Sequence, residues 1–129
     1  MTEPAEDVED TEDPELEPLY PDVQSWVENL YVVTFIRPDS QQLRWCASWW
    51  AHPEAIIRLS ALWQTWEIAR LVVGTGMADW LRNNLDSLAP VLHSGSGPFA
   101  SCTPDKHTDQ KPMPVTRPAA GYWDQTALE

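Results

Sequence analysis

Between His52 and Val73 the chain reads HPEAIIRLSALWQTWEIARLVV, and no other stretch constrains the fold as strongly. Ile56, Leu59, Trp63 and Trp66 recur at helical spacing, and Leu62 and Ala69 widen the stripe. Pro53 suits the first helical position, where its missing N–H has no intrahelical partner. Glu54 favours the positive end of the helix dipole and precedes Arg58 by one turn. Gly74 and Gly76 are expected to end the helix. A helix with so wide an apolar face must bury it, so the flanking segments are read as its cover.

Two such segments exist. In YPDVQSWVENLYVVTFIRP, Asp22 is the expected N-cap, and Val23, Trp26, Val27, Leu30 and Tyr31 share one face. The β-branched run Val32–Val33–Thr34 weakens the pattern, and Pro38 should stop it. A third helix is expected from Thr75 or Gly76, burying Met77, Trp80, Leu81, Leu85 and Leu88 and ending by Pro90. The expected class is all-α: a compact bundle of about three helices over residues 20–107, with long ordered loops. Residues 1–19 are expected as a disordered acidic tail and residues 108–129 as a flexible, proline-containing one.

Charge supports this division. Residues 1–22 hold ten of the 20 acidic groups and no Lys or Arg, so most of the net charge of −12 lies there. Such a block cannot bury enough apolar surface to offset its ordering entropy. The remainder is close to neutral, which argues against direct nucleic-acid binding, since phosphate contacts need clustered cations. No apolar run approaches the roughly 20 residues of a membrane span. MTEPAEDVED lacks the basic start and apolar stretch of a signal peptide, so a cytoplasmic protein with reduced Cys46 and Cys102 is expected. The compositional outlier is tryptophan, with 8 copies, which enlarges the core that a few helices can form.

The chemistry on offer is concentrated in LRWCASWWAHPEA (residues 43–55) and GPFASCTPDKH (residues 97–107). Cys46 and His52 form one short pair and Cys102 and His107 another; together they make a tetrahedral Cys2His2 set suited to structural zinc. The spacing is not that of a zinc finger. The alternative is two buried thiols, a histidine capping the long helix, and His107 in the tail. His52-Pro53-Glu54, read with Pro98–Cys102, is similar to the signature of zinc nucleobase deaminases, but Phe99 stands where a cysteine ligand is needed. GTGMAD lacks the lysine and spacing of a phosphate loop. His93 stands beside a Gly-Ser turn with no partner at a telling spacing. Glu67, Arg70 and Asp79 are read as a polar cluster or a solvated face.

The consecutive pair Trp49–Trp50 cannot turn both rings into one core, so one is expected at the surface as a protein-contact anchor. Tyr122 and Trp123 are read either as a docking motif on the C-terminal tail, offering a second contact, or as a pair that folds back on the domain.

The pattern WCASWWAHPEAIIRLSALWQTWE, then GTGMADWLRNNLD, then GPFASC resembles an uncharacterised actinobacterial domain family found on plasmids, prophages and integrative elements. The resemblance implies a setting on mobile DNA and no biochemical activity; it carries over no catalytic residues. No catalytic residue or organic cofactor is expected. The leading expectation is a non-enzymatic accessory protein acting through an unidentified protein partner, with structural zinc. The alternatives are a small zinc-dependent enzyme and an acidic decoy of a DNA-binding protein.

Overall fold

A computed structural model describes residues 17–126. Among the described residues four helices form and there is no β-strand, only two isolated bridges, Leu43 with Ser94 and Thr103 with Lys106. Helix α1 (residues 23–34) runs from Val23–Trp26 through a π-turn, Val27–Tyr31, to Val32–Thr34. A single 3-10 turn, Trp49–Ala51, leads into α2, Pro53–Ala69. Helix α3 (residues 76–92) joins Gly76–Trp80, a second π-turn at Leu81–Leu85, and Asp86–Leu92. The short α4 is Tyr122–Thr126.

The expected helix starts are present. Asp22 caps α1, its carboxylate accepting from Ser25 N at 2.8 Å. Pro53 opens α2, and Arg58 pairs with Glu54 at 2.8 Å. The ends differ. Helix α2 stops at Ala69, short of Gly74, because α3 is pressed against it. A Cβ on Gly76 would stand 2.1 Å from the Ala69 carbonyl oxygen, so only glycine admits this approach. Helix α3 continues past Pro90 to the fully buried Leu92, and His93 N closes it on the Ala89 carbonyl at 2.9 Å.

The core is an aromatic contact between all three long helices. Trp26 of α1 lies 6.3 Å from Trp66 of α2 and 6.3 Å from Trp80 of α3, edge-on to the latter. The Trp80 indole N–H donates to Thr65 Oγ1 at 2.9 Å, so this buried ring keeps its polar atom satisfied. The buried stripe of α2 is Ala55, Leu59, Leu62 and Trp66. Ile56 is 37% exposed and Trp63 half-buried, so the face is turned slightly from the expected one. The small Ala55 fits where the helix start meets its neighbours. Leu81 also faces outward, at the first position of the second π-turn.

The expected tails are partly described. Residues 1–16 lie outside the described part, but residues 17–19 rest on α2. Glu67, a buried carboxylate, accepts from Leu19 N at 2.8 Å and Tyr20 N at 2.9 Å. It also accepts from Arg70 Nε at 2.8 Å and Trp63 Nε1 at 3.2 Å. The expected Glu67–Arg70–Asp79 cluster is therefore split: Asp79 pairs with Arg82 at 2.7 Å instead. In the C-terminal segment, Thr108 N donates to Cys102 Sγ at 3.3 Å and residues 122–126 are helical.

Burial alone would raise the Glu67 pKa, but the two backbone N–H donors and Arg70 outweigh it and hold the carboxyl below its ordinary 4.5. A lowered carboxyl pKa stabilises the fold above about pH 4.5 and loses that contribution as the pH falls through the folded value. Glu67→Gln should cost about 2–4 kcal/mol at neutral pH, since it leaves donors underused in a partly buried site. Denaturant titrations should also show that the variant has lost the acid-dependent part of stability below pH 4.5.

Candidate metal centre

Two short segments far apart in sequence, residues 46–52 and 102–107, each deliver one Cys and one His to the same point. The loop after α1 is docked on the end of α3: Leu43 bridges Ser94, and Arg44 N donates to the His93 carbonyl at 2.7 Å. Cys46 follows two residues later and is fully buried. His52 occupies the N-cap position of α2, with the extended backbone that the following proline requires. Its side chain makes no capping bond and points inward, 3% exposed. Cys102 closes a turn on the Phe99 carbonyl at 3.0 Å. The Thr103–Lys106 bridge then folds the chain back so that His107 returns beside it.

The ligand atoms of Cys46, His52, Cys102 and His107 all lie within 4.8 Å of one another, close enough to hold a metal ion. His107 Nδ1 stands 3.3 Å from Cys46 Sγ and 3.8 Å from Cys102 Sγ, and His52 Nε2 is 3.5 Å from Cys102 Sγ. Both cysteines are free thiols. Phe99, fully buried, meets the His52 ring edge-on at 5.1 Å and packs in the same buried core as Cys46 and Cys102.

The surroundings suit a cation. Asp109 Oδ1 accepts from His107 Nε2 at 2.6 Å, which places the proton on Nε2 and leaves Nδ1 to face the thiols. Burial, then the neighbouring His107, lowers the pKa of His52 and keeps its ring neutral. Burial raises the Cys46 thiol, the Ser48 backbone N–H opposes this, and Cys102 adds to the rise. A metal would have to displace the thiol protons, so its binding is coupled to pH.

The other candidates separate cleanly. Trp49 is 6% exposed and packs in the core, which removes it as a contact anchor; Trp50, at 63%, is the member of the pair that faces out. A 3-10 turn carries both, and successive residues on it point to different sides. Trp50 borders a shallow hollow with Val23, Glu28 and Ile56. Tyr122 and Trp123 are exposed and lie edge-to-face at 5.0 Å.

Sequence reasoning missed His93. Its Nδ1 stands 3.0 Å from the Arg44 carbonyl, which can only accept, so the proton is on Nδ1. Neutral Nε2 then accepts from the Tyr31 hydroxyl at 2.7 Å. Burial lowers the pKa of His93 and raises that of Tyr31, so both stay uncharged. The partner is 62 residues away in sequence, a separation no local pattern signals.

Among the described residues, no helix is long and apolar enough to cross a membrane. Comparison with curated proteins and with solved structures finds no match to either. A family model described as "Domain of unknown function (DUF4913)" matches residues 20–120, which include the three long helices and all four Cys/His positions. The chain belongs to this domain family.

Proposed function

We propose that this chain is a non-enzymatic accessory protein that holds one structural zinc ion and acts through protein–protein contacts. The observation that carries the zinc reading is the meeting of the pair Cys46 and His52 with the pair Cys102 and His107, with 50 residues from His52 to Cys102. For Zn–S near 2.3 Å and Zn–N near 2.0–2.1 Å, the edges of a tetrahedron run from about 3.3 to 3.8 Å. The S–N edge lies near the middle of that interval, about 3.5 Å, and the three Cys–His separations, 3.3, 3.5 and 3.8 Å, fall close to it. Four protein ligands leave no open position for substrate, which favours a structural role over a catalytic one. Such an ion would fasten the loop before α2 to the segment after α3, and a domain this small gains much from a staple of that kind.

The partner reading rests on exposed indoles, Trp50 at 63% and Trp123 at 68%, residues that serve as interface anchors elsewhere. A cytoplasmic setting on mobile DNA of actinobacteria is part of the same proposal, supported by the resemblance of Trp45–Glu67, Gly74–Asp86 and Gly97–Cys102. A zinc enzyme is the second reading. It is favoured by a cleft of about 490 Å³ that opens beside the cluster and is lined by His52, Glu54, His107 and Asp109. Against it, Glu54 is held by Arg58 at 2.8 Å and the ligand set is closed.

Protein purified without chelator should carry about one equivalent of zinc by elemental analysis. Cys46→Ser and Cys102→Ser should each lose the metal and most of the folded population. A metal-free chain with an unchanged melting curve would falsify the assignment. Asp109→Asn should keep the stoichiometry but weaken zinc affinity about 10–100-fold in a chelator competition. Trp50→Ala should leave the melting temperature nearly unchanged, since the ring is largely solvated, and should abolish capture of the native partner from host lysate. Retention of every captured protein by this variant would remove Trp50 from the interface.

A further inference from the structure

On the face of the bundle formed by α1, α3 and the loop between α1 and α2, two clefts of about 300 and 200 Å³ share five residues: Tyr31, Phe35, Arg37, Leu43 and His93. The larger is at the lower limit of small-molecule sites. From its composition, we propose that this is a binding site for a small aromatic carboxylate.

Three independent features support it. Helices α1 and α3 each contain a π-turn, and the last residue of each, Tyr31 and Leu85, lines the larger cleft. π-turns are rare and concentrate at functional sites, so two of them ending on one cleft point to a use for its shape. The floor is aromatic and already satisfied. The Tyr31 hydroxyl and His93 Nε2 bond each other at 2.7 Å, and the two rings are parallel, 2° apart in plane. With those polar atoms engaged, the floor and the side chains of Phe35 and Leu43 offer ring faces and hydrocarbon, which suit a flat apolar body.

The third feature is the charge. Arg37 lines both clefts and is near enough for its positive charge to act on Tyr31 and His93. It donates through Nη1 to the Ile36 carbonyl at 2.9 Å and has no carboxylate partner among the described residues. Its other donors are available in the planar fork that matches a carboxylate. The chain as a whole carries −12, so an anion is drawn here by this local contact and not by long-range attraction. Asp86 lines the larger cleft and Asp39, paired with Arg44 at 3.6 Å, the smaller; both disfavour added negative charge, so the ligand is limited to a single carboxylate held at Arg37.

The test is an NMR titration of the full chain with benzoate, and with benzyl alcohol and benzamidine as neutral and cationic counterparts. Benzoate should shift the amides of Phe35, Arg37, Leu43 and Ala89 in a saturable way, with a Kd on the order of 1 mM for so small a probe. Benzyl alcohol should bind at least about tenfold more weakly, and Arg37→Gln should weaken benzoate by a similar factor. Arg37 is exposed, so this variant should retain the dispersed spectrum of the parent. Ala89→Phe, which fills the cleft and keeps the charge, should abolish the shifts. Absence of saturable shifts, equal or tighter binding of benzamidine, or undiminished benzoate binding by folded Arg37→Gln would each overturn the proposal.

Discussion

The meeting of Trp26, Trp66 and Trp80, one from each long helix, is the contact on which the rest of the structure depends. Each ring buries a large apolar area, and together they centre a core that the three helices enclose with Tyr31, Leu59, Leu62 and Phe99. Because Trp80 also hydrogen-bonds to Thr65, its helix is set in rotation as well as in distance from α2. The close approach at Gly76 follows from the same packing, since α3 must begin hard against the end of α2 to bring Trp80 into contact. Everything else is arranged around a frame whose geometry is already determined by these rings.

Around that frame, polar contacts of long sequence separation fasten the segments that are not helical. Glu67 gathers four donors and holds the chain entering α1 against α2. His93 does the same for the loop after α1, through its own backbone carbonyl and its Nδ1. Both are titratable groups kept in one charge state, Glu67 ionised by its donors and His93 neutral by burial. The difference follows from the balance of burial and partners: backbone N–H groups outweigh burial at Glu67, whereas at His93 burial outweighs the Arg44 carbonyl, which alone would favour the charged ring.

These same contacts explain how much could be read from sequence. Asp22 and Pro53 mark their helix starts by local chemistry, and the structure shows both. The pairs Cys46–His52 and Cys102–His107 stand out because thiols and imidazoles are scarce in the chain, with 2 Cys and 3 His. Glu67 and Arg70 look like an ordinary surface pair, because the backbone donors that make Glu67 special come from residues 47 and 48 positions away. The ends of α2 and α3 were misplaced for a related reason. Glycine and proline are local signals, but the stop of α2 and the passage of α3 through Pro90 follow from packing of Gly76 and Leu92. Neither π-turn has a sequence signature; each appears only once the helix must present its residues to a particular neighbour.

The cluster and the cleft are not separate features of the fold. Leu43 lines the cleft and Cys46 belongs to the cluster, on one loop three residues apart. Between them runs a continuous series of ring contacts: His93 to Trp45 at 5.7 Å, Trp45 to Phe99 at 5.3 Å, and Phe99 to His52 at 5.1 Å. The loop is tied at its Leu43–Arg44 end by backbone bonds to His93 and Ser94, which need no metal. At its Cys46 end the Sγ–His107 Nδ1 contact, 3.3 Å, is a weak hydrogen bond unless a cation joins the two. The two ends therefore differ in what holds them. The cleft wall is held by the helical frame, whereas on the zinc reading proposed above the ion would be what fastens the C-terminal segment over Cys46.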